Sequence, residues 1–120
     1  RRCLHTSPDV QWSDAVAAIA QAWAGQRTFS HSRPSDPTQR YTSNGQAAGE
    51  NLYYTSYGAP APDAESALQS WYDDEASLYV TGSNNYANPG YISAAGHFTQ
   101  VVWKATTLVG CGFCSTGAQG

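Results

Sequence analysis

The sequence has little charge, no methionine and a single lysine. Of its 120 residues, 12% are Asp, Glu, Lys or Arg, 41% are hydrophobic, eight are Tyr and four are Trp. A disordered chain would be rich in charge and poor in aromatic side chains, so this composition excludes disorder. The uninterrupted apolar runs are a few residues long, whereas a membrane-spanning helix needs about 20 apolar residues. The composition therefore predicts one globular domain over residues 1–120 and no transmembrane segment.

Positive charge and the motifs of common hydrolases are also scarce. Six basic residues stand against nine acidic ones, which gives a net charge of −3 and a pI of about 5.4. Isolated arginines form no stripe that would follow a phosphate backbone, so nucleic acid is excluded as a partner. Neither Gly-x-Ser-x-Gly nor His-Glu-x-x-His occurs, so the usual sequence evidence for a serine hydrolase or a zinc protease is missing.

The cysteines and the ends of the sequence bear on the compartment. Without a starting Met or an apolar leader, the sequence suggests a mature or trimmed chain. Cys3, Cys111 and Cys114 are an odd number, so one thiol is left over if two of them pair. Cys111 and Cys114 have the spacing of a redox or zinc half-site, but there is no second Cys pair to complete a four-thiolate zinc site. We favour a structural disulfide over a redox function, and secretion over an intracellular location.

Residues 12–24 have helical periodicity. Apolar side chains recur every three or four positions, Ser13 is suited to cap the start, and Gly25 is suited to end the helix. His5 lies close to the terminus and is predicted to be solvated. The tryptophans are predicted to lie in the core rather than to contact a ligand, and they are Trp12, Trp23, Trp71 and Trp103.

A second helix is predicted over residues 63–79, with Asp63 as its cap. It carries an apolar stripe along one side, made of Ala64, Ala67, Leu68, Trp71 and Leu78. Asp74 and Glu75 border this stripe at 100° per residue. Each carboxylate therefore needs a partner that offsets its desolvation.

The remaining segments combine long loops with short extended pieces. Residues 25–49 and 80–96 are rich in Gly, Pro, Ser and Asn and predict loops. Residues 96–103 suit a strand by residue type or a short helix by length, and residues 108–113 are typical of a strand. Two helices, short strands and long loops favour an α+β sandwich.

Four motifs in this chain resemble those of one protein family. Gly96-His-Phe-Thr-Gln-Val-Val-Trp103, followed by Val109-Gly-Cys-Gly112, is similar to the main signature of the CAP (SCP/TAPS) superfamily. That superfamily includes cysteine-rich secretory proteins, antigen 5 and pathogenesis-related class 1 proteins. The other motifs match in family order and are Trp23-Ala with Phe29-Ser-His31-Ser, Gly49-Glu-Asn-Leu52, and Trp71-Tyr-Asp-Asp-Glu75. The sequences of these motifs look most like those of fungal secreted pathogenesis-related class 1-like proteins.

The resemblance implies a three-layer α-β-α sandwich with a small central sheet and a cleft that holds two histidines and two acidic residues. Transferred to this sequence, that tetrad is His31, Glu50, Glu75 and His97. The family usually places the third member three residues after Trp71, which is Asp74 here, as though one residue had been inserted. The apolar stripe favours Glu75, one position later. The family also implies a fuller N-terminal helix, a Cys at the position of Thr28 and a final strand, so this CAP domain is short at both ends.

The tetrad implies either a metal site or a structural network. Imidazole nitrogens supported by carboxylates suit Zn²⁺ or another divalent metal, so the resemblance implies His31 and His97 as ligands, with Glu50 and Glu75 in support. The alternative is that each histidine hydrogen-bonds a carboxylate and makes the cleft rigid.

The resemblance also implies a hydrophobic ligand, because fungal and plant relatives bind sterols and some members bind fatty acids. The ligand-contacting loop maps to about residues 80–95, where the candidates are Val80, Tyr86, Pro89 and Tyr91. Their apolar area, beside Asn and Gly residues, suits a lid over an apolar ligand. The alternative is an ordinary solvated loop.

We therefore expect a secreted, monomeric CAP-domain protein that binds a sterol or fatty acid at a host–microbe interface, contributes to virulence and has no catalytic residues. One alternative is a metal-dependent or serine hydrolase that uses the His/Glu cleft, since hydroxyl side chains flank the histidines at Ser30, Ser32 and Thr99. The other alternative is an interaction module for a host protein, without a lipid ligand.

Overall fold

The computed structural model describes residues 1–32, 48–56, 59, 61, 63–81 and 90–115. The chain divides into two compact units. The first unit, called here the N-strap unit, joins Arg1–Pro8 to Tyr53–Ala105. The second, called here the α1 unit, joins Asp9–Leu52 to Thr106–Gly120. No helix in the described ranges is long and apolar enough to cross a membrane.

The α1 unit contains one helix and a two-stranded parallel sheet. Strand β1, Gln11–Trp12, pairs with β2, Leu108–Val109, with Gln11 opposite Leu108 and Trp12 opposite Val109. Helix α1, Asp14–Ala24, follows β1 directly. The predicted cap is confirmed, because the Ser13 hydroxyl accepts a hydrogen bond from Val16 N–H at 3.3 Å. The predicted end at Gly25 is also confirmed.

Two glycines let the segment after β2 lie directly against α1. A Cβ placed on Gly110 would lie 2.1 Å from Ala17 N, and one on Gly112 would lie 2.3 Å from the Ala20 carbonyl. The Gln21 side chain then holds the backbone of Phe113 with two hydrogen bonds, from Phe113 N–H to Oε1 at 3.0 Å and from Nε2 to the Phe113 carbonyl at 2.9 Å. Close backbone approach and this two-point contact fix residues 110–113 along the helix.

In the N-strap unit, residues 63–81 form a helical segment with a π-helical turn in its middle. Helix α2, Ala64–Leu68, begins at the predicted cap Asp63, whose carboxylate accepts from Ser66 N–H at 2.7 Å. The π turn, Gln69–Asp73, leads into α3, Asp74–Thr81. The prediction of a helix over residues 63–79 is therefore confirmed, apart from the π turn.

Helix α4, Gly96–Val101, resolves the ambiguity over residues 96–103 in favour of a short helix. A 3₁₀ turn, Ser93–Ala95, precedes it. The core of this unit consists of Tyr72, Tyr79, Ala95 and Phe98. Phe98 and Ala95 are completely buried, and α4 is thereby anchored against α3 and the π turn.

The N-terminal segment Arg1–Pro8 is tied to the rest of this unit by polar contacts. Arg2, in a 3₁₀ turn over Arg2–His5, donates to the carbonyls of Val101 at 2.8 Å and Trp103 at 3.1 Å, at the C-terminal end of α4. The prediction that His5 is solvated is wrong, because its Nε2 lies 2.7 Å from the Tyr72 hydroxyl and its ring packs edge-on against Phe98. Burial lowers the pKa of His5, and the positive N-terminal amino group lowers it further.

Three other expectations need correction. Trp12 and Trp103 are exposed, so the prediction that all four tryptophans lie in the core is wrong, and only Trp23 and Trp71 are half-buried. The helix predicted over 12–24 begins at Asp14, because Trp12 pairs in β1. The strand predicted over 108–113 is limited to Leu108–Val109, since the segment leaves the sheet to follow α1.

Helices with a small sheet confirm a mixed α/β fold, while the three-layer arrangement stays a prediction.

Candidate functional site

The first candidate pair, His31 and Glu50, lies in the α1 unit. His31 Nδ1 is 2.7 Å from Glu50 Oε1, and the His31 side chain is 57% exposed while that of Glu50 is 15% exposed. Ser32 donates to the same carboxylate twice, from its backbone N–H to Oε1 at 3.0 Å and from its hydroxyl to Oε2 at 2.6 Å. An exposed imidazole is thus held by a carboxylate that is itself largely covered.

A hydrogen bond from the Trp23 indole holds the segment that leads from α1 to His31. Trp23, in the last turn of α1, donates from Nε1 to the Ser30 carbonyl at 2.9 Å. Arg27 turns the chain after the helix with a positive φ of 57°, a left-handed conformation that is uncommon for a residue with a Cβ. Trp23 thereby fixes the backbone one residue before His31.

The second candidate pair, His97 and Glu75, lies in the N-strap unit. His97 Nδ1 is 2.6 Å from Glu75 Oε1, and the Phe98 backbone N–H donates to Oε2 at 2.9 Å. The His97 side chain is 38% exposed and that of Glu75 is 15% exposed. Since Phe98 is buried in the core and His97 precedes it on α4, core packing positions this histidine.

The π turn explains why Glu75 rather than Asp74 faces His97. A π turn accommodates one more residue than an α turn, so every side chain after Gln69–Asp73 is displaced by one position along the helix surface. Glu75 therefore takes the direction that residue 74 would have in an uninterrupted α-helix. Asp74 is exposed. The one-residue offset in the Trp-Tyr-Asp-Asp-Glu motif is absorbed by the local helix geometry.

Aromatic rings cover one side of the second pair. Trp71, within the π turn, is stacked on His97 with a centroid distance of 6.4 Å and an interplanar angle of 22°. Tyr53 meets Trp71 edge-on at 6.4 Å. The Trp71 ring therefore lies against one face of the His97 imidazole.

The two pairs have one chemical pattern in common. In each, a glutamate accepts from the Nδ1 of a histidine and from the backbone N–H of the next residue. An ionised carboxylate is only an acceptor, so Nδ1 carries the proton. Such a bond fixes the ring orientation and the tautomer of a histidine, as outer carboxylates do around metal-ligating histidines. The arrangement can hold an imidazole ready for a ligand, and it satisfies buried polar groups.

The residues of one unit do not fit a metal by themselves. Each pair supplies one imidazole, and the carboxylate beside it already accepts two or three hydrogen bonds. In neither unit do three or more His, Cys, Asp or Glu side chains from the described ranges converge as ligands. A structural zinc shell needs four donors. A metal centre that uses both pairs stays a prediction.

Two of the three hydroxyl groups that flank the histidines donate to other partners. The Ser32 hydroxyl donates to Glu50, and the Thr99 hydroxyl donates to the Gly96 carbonyl at 2.9 Å. A serine nucleophile needs a hydrogen bond to the base that removes its proton. Neither hydroxyl makes that bond in this structure.

The structure has the three cysteines as free thiols, and a disulfide between any two of them stays a prediction. Cys3 and Cys111 are exposed, and Cys114 is half-buried with its thiol 3.7 Å from the Ser115 carbonyl. Gly110 and Gly112 both face α1, so in an extended segment Cys111 points away from the helix.

The predicted ligand loop is described only at its two ends. Val80, near the end of α3, and Tyr91, before the 3₁₀ turn, both expose apolar area. The Tyr91 ring lies over Gly96, where an added Cβ would come within 3.3 Å of the Tyr91 hydroxyl. Tyr86 and Pro89 lie outside the described residues.

Sequence reasoning does not reveal the contribution of Ser32 to the first pair. The sequence indicates Ser32 only as a hydroxyl that flanks a histidine, whereas the structure has it buried and bonded to Glu50 by both backbone and side chain. The sequence signal for Ser32 is its position directly after a candidate histidine. Phe98 has the same position relative to His97. The bonding itself depends on residues 18 positions apart, which spacing does not reveal.

Comparison with known proteins identifies the family. The profile of the CAP family, described as the Cysteine-rich secretory protein family, matches residues 2–120. The chain is 36% identical over 120 residues to Protein PRY2 of Saccharomyces cerevisiae, which covers 99% of this chain and 30% of that protein. It is 40% identical over 104 residues to human Cysteine-rich secretory protein 2, which covers 86% of this chain and 37% of that protein.

Venom allergen 5 of Brachyponera chinensis is 32% identical over 107 residues, which covers 88% of this chain and 51% of that protein. The chain thus spans between about a third and a half of the length of these relatives. The profile match covers nearly all of the chain, and the motifs around His31, Glu50, Glu75 and His97 lie inside it. The chain belongs to the CAP family of cysteine-rich secretory proteins.

Proposed function

We propose that the chain is a secreted binding module that takes up a hydrophobic small molecule, a sterol or a fatty acid, and acts at a host–microbe interface. Its proposed fold is the three-layer α-β-α sandwich of the family. Secretion is supported by relatives whose names describe secretory proteins and a venom allergen. None of the relatives compared above is named as an enzyme.

The observation that carries this proposal is the apolar exposure of the described residues on either side of residues 82–89, the segment predicted to contact the ligand. Val80 is 52% exposed and Tyr91 is 71% exposed, and they flank residues 81–90 in the N-strap unit. Exposed apolar side chains supply the surface that an apolar ligand can bury. The position of Tyr91 over Gly96 gives its ring a defined support at the start of α4.

Binding is favoured over hydrolysis by the state of the hydroxyl groups. Ser32 and Thr99 donate to Glu50 and to the Gly96 carbonyl, so neither is activated by a histidine. Apolar ligand binding needs buried surface rather than a nucleophile. The bonding of Ser32 and Thr99 therefore favours a binding role over a serine hydrolase that would use either of these two hydroxyls.

The test is saturation binding of a labelled sterol, and separately of a labelled fatty acid, to the purified chain. Tyr91→Ala should weaken binding by about tenfold, because truncation of an aromatic anchor commonly costs more than 1 kcal/mol. Tyr54→Ala is the matched control, since Tyr54 lies in the same unit and is 64% exposed. Equal losses in the two variants, or no saturable binding of either ligand to the unsubstituted chain, would refute the proposal.

A zinc centre that uses His31 and His97 is proposed as a separate property of the chain. The double variant His31→Ala with His97→Ala should abolish zinc uptake, measured by calorimetry, and leave lipid binding unchanged. Loss of both activities together would contradict this separation. Zinc binding that survives the double substitution would exclude these histidines as ligands.

A further inference from the structure

The two glutamates of the candidate pairs are held by different donors. Glu75 accepts from the His97 ring and from the backbone of Phe98. Glu50 accepts from the His31 ring, from the backbone of Ser32 and also from the Ser32 hydroxyl. The additional hydroxyl donor distinguishes Glu50 from Glu75.

The hydroxyl of the buried Ser32 donates a hydrogen bond to Glu50. Ser32 is 2% exposed, and its hydroxyl lies 2.6 Å from Glu50 Oε2. A hydrogen bond from a hydroxyl to a carboxylate at this distance is charge-assisted and stronger than a neutral one. Both carboxylate oxygens are therefore occupied, Oε1 by two N–H donors and Oε2 by the hydroxyl.

We infer that Ser32 is a positioning residue that acts through Glu50 to hold the His31 ring in the Nδ1–H tautomer. The plane of a carboxylate is set by weak torsional preferences, because the terminal torsion of Glu is broad. Donors on both oxygens fix that plane and keep Oε1 directed at Nδ1. With the proton held on Nδ1, the lone pair of a neutral His31 lies on Nε2, on a ring that is more than half exposed.

This arrangement makes His31 a single oriented nitrogen donor. A lone pair on an exposed Nε2 suits a divalent cation of borderline softness or a ligand with an acidic hydrogen. The role of Ser32 goes beyond the proposed lipid binding and does not depend on it. It also does not depend on a metal, because the tautomer is a property of the chain alone.

The test is the tautomer of His31, read from long-range ¹⁵N–¹H correlations of the imidazole rings at a pH where the ring is neutral. In the unsubstituted chain, His31 should show the Nδ1–H pattern. In Ser32→Ala it should shift to a mixture that contains the Nε2–H form, because Oε2 has lost its donor. Ser32→Thr, which restores the hydroxyl, should restore the original pattern.

Two controls separate positioning from a general loss of structure. Ser30→Ala removes an exposed hydroxyl two residues away and should leave the His31 pattern unchanged. His97 is an internal control, since its carboxylate is held by Phe98 rather than by a hydroxyl, and its signals should be the same in every variant.

Several results would overturn the inference. An Nε2–H pattern for His31 in the unsubstituted chain would do so without any variant, and this measurement remains decisive if Ser32→Ala fails to fold. A folded Ser32→Ala chain that retains the pure Nδ1–H pattern would show that the hydroxyl is not needed. Failure of Ser32→Thr to differ from Ser32→Ala would show that packing, not the hydroxyl, is what matters.

Discussion

The two His–Glu pairs have similar local geometry but different support. His97 and Glu75 lie beside a buried aromatic core that contains Tyr72, Tyr79 and Phe98. His31 and Glu50 lie in a unit whose helix α1 has no fully buried residue, and their support is the hydrogen bonding of Ser32. A glutamate thus holds an imidazole in both units. Apolar packing supports the pair in the N-strap unit, and polar contacts support the pair in the α1 unit. Because these forces respond differently to substitution, the comparison can be tested.

Phe98→Ala should give the largest effect, because it removes the fully buried ring that anchors α4. A change of this kind costs about 3–5 kcal/mol in the free energy of unfolding. Chemical denaturation followed by tryptophan fluorescence measures it. The control is Phe113→Ala, at a half-exposed ring in the α1 unit, which should cost less than Phe98→Ala by several-fold. Equal losses would show that the apolar core is not what distinguishes the N-strap unit.

Gly112→Ala tests the support of the α1 unit. The added Cβ would meet the Ala20 backbone at 2.3 Å, so the segment after β2 must move away from α1. We expect a loss of about 1–3 kcal/mol, as for overpacking elsewhere. Gly25→Ala is the control, because its nearest contact would be 3.3 Å and its φ is −61°. If denaturation midpoints of the two variants agree, close approach of the backbone is not essential here.

Each unit has a helix whose first turn is capped by a side chain, so the two caps can be compared directly. Ser13 caps α1 and Asp63 caps α2, each by accepting a backbone N–H three residues on. The bond is 2.7 Å at Asp63 and 3.3 Å at Ser13, so Asp63→Ala should cost about 1 kcal/mol and Ser13→Ala less. Thermal unfolding of both variants measures the order. A larger loss at Ser13 would reverse the expected ranking of the two caps.

The smallest effect should be the pH dependence contributed by His5. Burial against Tyr72 and Phe98 lowers the pKa of His5 below that of a free imidazole. The unfolded chain therefore binds a proton more readily than the folded chain does, and stability falls as the pH drops below about 6.5. Melting temperatures at pH 7.5 and 5.5 measure this loss, which His5→Gln should reduce. An undiminished loss in His5→Gln would assign the acid sensitivity to other groups.

Part of the fold follows from local signals in the sequence. The caps at Ser13 and Asp63, the end of α1 at Gly25 and the helical periodicity of residues 63–79 all depend on neighbouring residues, and the structure has them. The prediction that Trp12 and Trp103 are buried is wrong because it depends on residue type alone. The burial of an indole depends on chain segments that are distant in sequence. Residues 96–103 stay ambiguous locally, since β-branched residue types and helix length point in opposite directions.

The candidate site shows the same division. The motifs indicate His31, Glu50 and His97, and the structure brings each of the two histidines to a glutamate. Glu75 was favoured by its place on a regular helical wheel, although the reason it reaches His97 is the π turn, which no wheel contains. The role of Ser32 was missed because it requires the carboxylate of Glu50 to approach from another part of the chain.

The sequence by itself therefore determined the family, the helix caps at Ser13 and Asp63 and the candidate histidines and glutamates, because motifs, caps and periodicity are properties of neighbouring residues. Only the tertiary structure decided which carboxylate meets which histidine, that Ser32 completes one pair, and that apolar packing supports the other. Those outcomes depend on contacts between residues far apart in sequence, where an ångström of displacement or one residue of helix register changes which atoms meet.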